Sequence, residues 1–297
     1  MFLPGLTADH RLFEKQIEYF EGKENVLVWD APSHGESRPF DLDWTLDDLA
    51  RWLKEVLDSE GISEPILIGQ SLGGYIAQAY MDLYPGTIRG FVSIDSAPLQ
   101  RQYYAAWELS LLKHLRLMYA AVPWKTLVNV GSSGTATSPY GRRVMQEMMY
   151  DYGKQAYCDL TVYGFKMVAE AVEKDRPYEI DCPALIICGT RDNAGFMKKY
   201  SRDWERRTGR KVHWIEGAGH NSNSDAPDIV NALIEQFIES IARILEPYET
   251  AHSNFLGMSP SVRKTYTRAY LDAKTDAGRE KRLAWMVDRL NQNLKPM

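Results

Sequence analysis

Short apolar runs alternate with amphipathic segments along the first 245 residues of the chain. Leu49, Leu53 and Leu57 recur at helical spacing, as do apolar residues in several other segments. Between these segments lie short apolar runs, which predict buried strands. The predicted strands are residues 1–3, 25–30, 66–68, 91–95, 184–188 and 212–215. Strands that alternate with helices predict an α/β fold with a mostly parallel sheet flanked by helices.

A G-x-S-x-G motif lies where one predicted strand meets the next predicted helix. Gly69, Ser71 and Gly73 follow the run Ile66–Ile68 directly. A serine in such a tight turn is held at the carboxyl edge of the sheet, and the glycines avoid collisions with the neighbouring strand and helix. Ser71 is therefore a candidate nucleophile, and the backbone N–H of Leu72 a candidate oxyanion donor. The alternative is a glycine-rich helix start with an incidental serine.

Two more polar residues follow later strands and are candidate partners of Ser71. His220 lies in a glycine-rich loop after the run 212–215, and Asp192 follows the run 184–188. Because parallel strands end at a common edge, these side chains are expected to meet. The order Ser, Asp, His suits a serine nucleophile with a histidine base and an orienting acid. Asp95, at the end of the preceding strand, is the alternative acid.

These motifs together resemble the α/β-hydrolase superfamily from Met1 to about Glu246. The matching pieces are Leu3-Pro4-Gly5-Leu6, Asp30-x-Pro32-x-His34-Gly35-x-Ser37, Gly69-x-Ser71-x-Gly73, Gly189-x-x-Asp192 and Gly217-x-Gly219-His220. The resemblance implies a catalytic triad of Ser71, Asp192 and His220, with an oxyanion hole from the backbone N–H groups of Leu6 and Leu72. Pro4-Gly5 replaces the usual His-Gly of the superfamily. Two strands usually precede this turn in the superfamily, and this sequence begins after that point, so either the sheet is trimmed or the start of the protein lies upstream. Related dehalogenases and epoxide hydrolases use aspartate at the position of Ser71.

A long insertion separates two predicted sheet strands, and its pattern is helical. Residues 97–181 are far too many for a plain connection, and the superfamily places a cap domain at this point. Residues 132–138 are predicted to form a mobile loop within it. The insertion is rich in Met and aromatic residues, which could line an apolar substrate pocket or form the core of the cap. The candidate pocket residues are Trp107, Trp124, Met145, Met149 and Phe165.

The C-terminal segment differs from the rest in pattern and in charge. Residues 247–254 are polar and are predicted to form a linker. From Ser259 onward there are nine Lys/Arg and four Asp/Glu, within a chain of net charge −5. Ser259-Pro260 predicts a helix start, and Leu283, Met286 and Leu290 mark a second helix. Phe255–Lys295 resembles the bacteriocin-protection (OmpD-associated) proteins, which implies an accessory unit that could form a homodimer or bind a protein partner.

Composition narrows the class of protein further. The chain has 297 residues, of which 44% are hydrophobic and 25% charged, as in ordinary globular proteins. No run reaches the 18 apolar residues of a membrane span, so we expect a cytoplasmic protein that contacts neither membrane nor nucleic acid. Three cysteines in no C-x-x-C pattern are expected to be reduced core thiols. No metal-ligand spacing occurs, and neither a metal nor a cofactor is expected.

Two functions of different classes fit the sequence. The first is a serine hydrolase that forms an acyl-enzyme on a small, partly apolar ester, thioester or lactone. Hydrolysis of an amide or of a carbon–carbon bond would be variants of the same chemistry. The second is a non-catalytic ligand-binding or signalling protein on a hydrolase fold, with the C-terminal segment as its interaction module. A preserved triad favours the enzyme, because a binding protein has no need of one.

Overall fold

The computed structural model describes residues 1–115, 119, 121–243, 247–259, 262, 265–266, 269–270 and 276–296. Its centre is a five-stranded parallel sheet in the order β1-β2-β3-β4-β5. The strands are β1 (Phe2–Leu3), β2 (Ile66–Gln70), β3 (Gly90–Ile94), β4 (Ala184–Gly189) and β5 (Val212–Ile215). Sequential strands are neighbours throughout, so each crossover connection carries helices onto a face of the sheet. The predicted α/β fold is confirmed.

Helices surround this sheet and form the insertion and the C-terminal unit. They are α1 (Glu14–Phe20), α2 (Leu46–Ser59), α3 (Leu72–Leu83), α4 (Ala106–Lys113), α5 (Trp124–Thr135), α6 (Pro139–Glu173), α7 (Met197–Thr208), α8 (Ser222–Asp225), α9 (Pro227–Arg243), α10 (Glu249–Leu256) and α11 (Asp276–Asn291). Helix α2 begins with a capping box, in which the Thr45 hydroxyl accepts from the Asp48 N–H and the Asp48 carboxylate accepts from the Thr45 N–H.

Both faces of the sheet are buried. Leu67, Phe91 and Ile186 belong to a cluster on one face, together with α2 and α3. Ile68, Val92 and their neighbours belong to a second cluster on the other face. Adjacent residues of each strand therefore supply opposite cores, which explains why the strands are continuous apolar runs rather than alternating ones.

The predicted strand at residues 25–30 is wrong in extent. The segment makes only an isolated parallel bridge, in which Val28 pairs with Phe2. The Phe2 N–H donates to the Leu27 carbonyl at 2.8 Å, and the Trp29 N–H donates to the Phe2 carbonyl at 3.2 Å. The segment is therefore joined to β1 by a single bridge and does not form a strand of the sheet.

Among its described residues, the predicted insertion contains α4, α5 and α6, and we call residues 97–181 the cap. Helix α6 is interrupted at Gly153, whose φ of 70° requires glycine. The prediction of a mobile loop at residues 132–138 is wrong for its first half, because α5 continues to Thr135. The hydroxyls of Ser132, Ser133 and Thr135 donate to carbonyls one turn earlier, so these polar residues fit the helix.

The C-terminal helices have a small core of their own. Ala251 of α10 and Leu290 of α11 are fully buried, in a cluster with Tyr266 and Met286. The predicted linker at residues 247–254 is therefore wrong, since most of it is helix α10 and contributes to this core. The predicted helix start at Ser259-Pro260 involves Pro260, which lies outside the described residues. None of the described helices combines the length and the hydropathy that a membrane span requires.

Candidate active site

The turn between β2 and α3 holds Ser71 in a strained conformation. Its φ and ψ are 49° and −113°, a region that residues with side chains rarely adopt. Glycine is required on either side of Ser71 because a Cβ at these positions would collide with neighbouring backbone. A Cβ on Gly69 would lie 2.3 Å from the carbonyl carbon of Gly73, and one on Gly73 would lie 1.9 Å from the Leu3 oxygen. The strand, the serine and the helix can approach this closely only without those side chains.

Bonds to the neighbouring strand hold the turn in place. The Ser71 N–H donates to the Ile94 carbonyl at 2.9 Å, which continues the β2–β3 pairing into the turn. The Ser96 hydroxyl donates to the Ser71 carbonyl at 2.7 Å. The serine is thus fixed by the end of β3, and its side chain lies at the carboxyl edge of the sheet.

The loop after β5 brings His220 to Ser71. Nε2 of His220 lies 2.9 Å from Ser71 Oγ, and Nδ1 lies 2.9 Å from Oδ2 of Asp192. The second oxygen of Asp192 accepts from the Ala194 N–H at 2.8 Å. Asp192 and His220 are both buried. The structure therefore brings together the three residues that the sequence predicted as nucleophile, acid and base.

The surrounding charges favour a proton on His220. Burial alone would lower the pKa of the imidazole, but the nearby carboxylate of Asp192, with a smaller contribution from Asp95, outweighs it and leaves the pKa raised. An imidazole in this setting can accept a proton from Ser71 and hold it beside a carboxylate.

Asp95, the alternative acid, has different partners. Its two oxygens accept from the Gly189 N–H at 2.7 Å and from the Ser222 N–H at 2.9 Å. Burial, with the carboxylate of Asp192 nearby, raises the pKa of Asp95 to about 8. Asp95 thus links the end of β3 to β4 and to α8, whereas Asp192 bonds the histidine ring.

Asp95, Asp192 and Cys188 form a buried group of potential metal donors. Their ligand atoms lie within 4.8 Å of one another. Both carboxylates are already hydrogen-bonded within the protein, and burial raises the pKa of the Cys188 thiol, which disfavours the thiolate that a metal needs. These properties of the two carboxyl groups and the thiol favour a hydrogen-bonded pair of acids over a metal centre.

The two candidate oxyanion donors lie on elements that flank Ser71. Leu72 is the first residue of α3, so its N–H has no acceptor within the helix. Leu6 lies in the turn after β1, which runs alongside the nucleophile: a Cβ on Gly5 would lie 3.2 Å from the Ser71 Cβ. The absence of the histidine side chain before Gly5 leaves this backbone approach intact.

The candidate pocket residues have different environments. Met145 and Met149 are buried in the cap, with Met145 Sδ 4.0 Å from the amide nitrogen of Asn221. Trp124 is half-buried and packs on Tyr157, and Phe165 is half-buried on α6. Trp107 is 58% exposed and packs edge-to-face on Phe196. Helix α4 presents most of the Trp107 side chain to solvent, and its place in a substrate pocket stays a prediction.

Two residues that support the histidine were missed in the sequence. Buried Gln70 donates from Nε2 to the His220 carbonyl at 2.8 Å. The Asp225 carboxylate accepts from the Gly219 N–H at 2.8 Å. Gln70 lies within the serine motif, directly before Ser71, and Asp225 follows the histidine by five positions, but neither spacing indicates a partner. The Gln70 bond joins positions that are 150 residues apart in the chain, which no local pattern predicts.

This strand–serine–helix arrangement, with a histidine and an acid at the ends of later strands, is found in a known family. The chain belongs to the alpha/beta hydrolase family, whose model matches residues 1–233. Residues 234–293 match the model of the family described as bacteriocin-protection, YdeI or OmpD-associated. The predicted resemblances are confirmed.

Known relatives are distant but cover most of the hydrolase part. An (E)-2-((N-methylformamido)methylene)succinate hydrolase of Acinetobacter baylyi is 23% identical and aligns with 81% of this chain and 90% of its own length. Human epoxide hydrolase 4 is 24% identical over 77% of this chain and 68% of its own length. A solved thermophilic esterase from Thermogutta terrifontis has a TM-score of 0.65 at 18% identity, covering 81% of this chain and 89% of that one. At such identity, the structural likeness shows the fold alone.

Proposed function

We propose that this protein is a serine hydrolase in which Ser71 is the nucleophile, His220 the general base and Asp192 the orienting acid. One observation carries the proposal: the two ring nitrogens of His220 lie 2.9 Å from Ser71 Oγ and 2.9 Å from Asp192 Oδ2. A base within hydrogen-bond reach of a nucleophile, and itself oriented by a carboxylate, is the arrangement that nucleophilic catalysis needs.

The reaction would proceed by acylation and deacylation. His220 takes the Ser71 proton as Oγ attacks the substrate carbonyl, and Asp192 stabilises the imidazolium that forms. The backbone N–H groups of Leu6 and Leu72 stabilise the oxyanion. His220 then gives the proton to the leaving group, and a water that it activates hydrolyses the acyl-enzyme.

The substrate that best fits is a small carboxylic ester, with a thioester or lactone as close chemical variants. A serine nucleophile favours acyl transfer over epoxide opening, for which the family resemblance implies an aspartate. Buried Met145 and Met149 give the cap adaptable apolar side chains suited to an acyl or aryl group. The Acinetobacter relative, named as a succinate-derivative hydrolase, makes an amide-type bond the next chemistry to test.

Covalent labelling tests the nucleophile without knowledge of the substrate. The protein is treated with a fluorophosphonate, and its intact mass is measured for the wild type, Ser71→Ala and Ser59→Ala. Ser59 is exposed at the end of α2 and serves as the matched control. We expect one adduct on the wild type and on Ser59→Ala, and none on Ser71→Ala.

A folded wild type that gains no adduct would contradict the proposal and favour a ligand-binding protein. A panel of p-nitrophenyl esters of increasing chain length follows a positive result. The Ser71→Ala variant should lose roughly 10⁴-fold or more in kcat on the best ester. Turnover that survives this substitution would also overturn the assignment.

A further inference from the structure

Asp225 joins the cap to the loop that carries His220. One oxygen of its carboxylate accepts from the Ser138 N–H at 2.8 Å, and the other accepts from the Gly219 N–H at 2.8 Å. The Thr137 N–H lies within 3.1 Å of both oxygens, and the Thr137 hydroxyl lies 3.0 Å from one of them. A single carboxylate thus holds both the residue before His220 and the connector between α5 and α6.

Two further bonds cross the same junction. The Thr137 hydroxyl also lies 2.9 Å from the Gly217 carbonyl. The Asn221 N–H donates to the Thr135 carbonyl at 2.8 Å. The residues on both sides of His220 are therefore bonded either to the cap itself or to the carboxylate that holds the cap.

The junction is also tightly packed. A Cβ on Gly219 would lie 2.9 Å from the Thr135 oxygen, and one on Gly141 would lie 2.9 Å from Asp225 Oδ1. Little space exists for the histidine loop and the cap connector to slide past each other. A change in one segment must be transmitted to the other or must break these bonds.

We propose that Asp225 is a positioning residue through which the cap fixes the orientation of His220. This inference rests on the proposed function, in which His220 is the base. The imidazole must keep both 2.9 Å contacts at once, and the backbone on either side of it is set by the cap connector. The cap would then be part of the catalytic apparatus in addition to covering the substrate.

The Asp225→Asn variant tests this while preserving side-chain volume. In either orientation, the amide NH₂ faces a backbone N–H, of Ser138 or of Gly219, that now has no acceptor. A displaced base costs about 10²-fold in rate, so we expect kcat to fall by about that factor with little change in KM. The rate of fluorophosphonate labelling at Ser71 should fall in parallel. The downfield proton resonance of the His220 Nδ1–H should broaden or disappear.

Matched variants separate positioning from general stability. Asp228→Asn makes the same change at an exposed site in the first turn of α9 and should leave every readout unchanged. Thr137→Val removes the hydroxyl on the cap side of the junction and should lower kcat. Thr137→Ser restores the hydroxyl and should recover the wild-type rate. A purely structural role would lower the melting temperature of all the junction variants without this recovery.

The outcomes distinguish this inference from the proposed function. If the wild type is labelled and Asp225→Asn is labelled equally fast, with the His220 resonance intact, the positioning role is wrong and the serine hydrolase stands. If the folded wild type is not labelled at all, both fail. Slower labelling of Asp225→Asn, together with recovery in Thr137→Ser, supports both.

Discussion

The choice between the two buried carboxylates gives the sharpest prediction about the site. Asp192 and Asp95 both lie near His220, but only Asp192 bonds the ring, at 2.9 Å from Nδ1. In Asp192→Asn, a side-chain amide that donates toward Nδ1 forces the ring proton onto Nε2. That nitrogen then faces Ser71 as a donor and cannot take the serine proton.

The expected loss follows from this wrong tautomer. A comparable substitution in other triads lowers kcat by about 10⁴-fold, which corresponds to about 5 kcal/mol of transition-state stabilisation. In Asp95→Asn the amide meets the N–H groups of Gly189 and Ser222, one of which loses its acceptor. The lost acceptor should lower the free energy of unfolding by about 1–3 kcal/mol. Turnover per folded molecule should change by less than about tenfold, because the bond from Asp192 to the His220 ring remains.

The assay is kcat on the best ester found by the panel, together with urea unfolding of both variants. Active-site titration with the fluorophosphonate corrects for any unfolded fraction. If Asp95→Asn abolished turnover while Asp192→Asn retained a tenth or more of it, the acid would be Asp95 and the reasoning from ring contacts would be refuted.

Three further predictions concern pH, the serine turn and the C-terminal unit. Because the carboxylates outweigh burial and raise the pKa of His220 above its ordinary 6.5, kcat/KM should fall on acidification through a pH above 6.5. The stability that protonated His220 gains from its carboxylate partner is full below pH 6.5 and is lost as pH rises through the folded pKa. A pH series in which kcat/KM and the unfolding free energy moved together would contradict this prediction. Gly73→Ala should lower the free energy of unfolding by about 3 kcal/mol or prevent folding, because the new Cβ would lie 1.9 Å from the Leu3 oxygen. The control Gly134→Ala in α5 has open space around the new Cβ. It should leave the free energy of unfolding in urea unchanged or raise it by up to about 1 kcal/mol. Leu290→Ala should destabilise the C-terminal unit by about 2–5 kcal/mol, since Leu290 is fully buried; equal hydrogen exchange in α11 of the variant and wild type would refute this.

The elements that the sequence predicts well are those with strong local signals. The runs at 66–68, 184–188 and 212–215 are short and largely apolar, as is typical of strands covered on both faces, and all three are strands in the structure. The positions of Ser71, Asp192 and His220 follow from the same signal, because each lies just past a strand end. Parallel pairing then brings them to one edge.

The elements that the sequence predicts poorly are those whose structure is decided by distant contacts. Residues 132–135 have loop-like composition, but the rest of α5 and backbone acceptors within it keep them helical. Residues 249–256 are polar apart from a few positions, and burial of Ala251 against α11 makes them a helix. Trp107 is a candidate pocket residue by type alone, and only the placement of α4 shows that most of its side chain is exposed to solvent. The domain limits at 97–181 and 255–297 remain predictions.

Asp225 shows the same limit within the site. In the sequence it is an acidic residue near a helix start, where carboxylates are common because they complement the helix dipole. Its actual partners are Thr137, Ser138 and Gly219, two of them more than eighty positions away. No periodicity or motif encodes that pairing, which exists only after the cap has folded against the loop that carries His220.

The strain at Ser71 connects the stability of the core to the chemistry of the site. A residue at φ 49° and ψ −113° persists only where its surroundings over-determine the backbone. Two such constraints come from Ile94, the last residue of β3, and from Ser96, two positions further on. Asp95, which lies between them, also bonds β4 and α8. A substitution that loosens the end of β3 should therefore relax the serine turn and displace the histidine loop together. Destabilisation at this strand end should lower activity more than equal destabilisation at the exposed face of α2, whose side chains bond to one another in the described part of the chain.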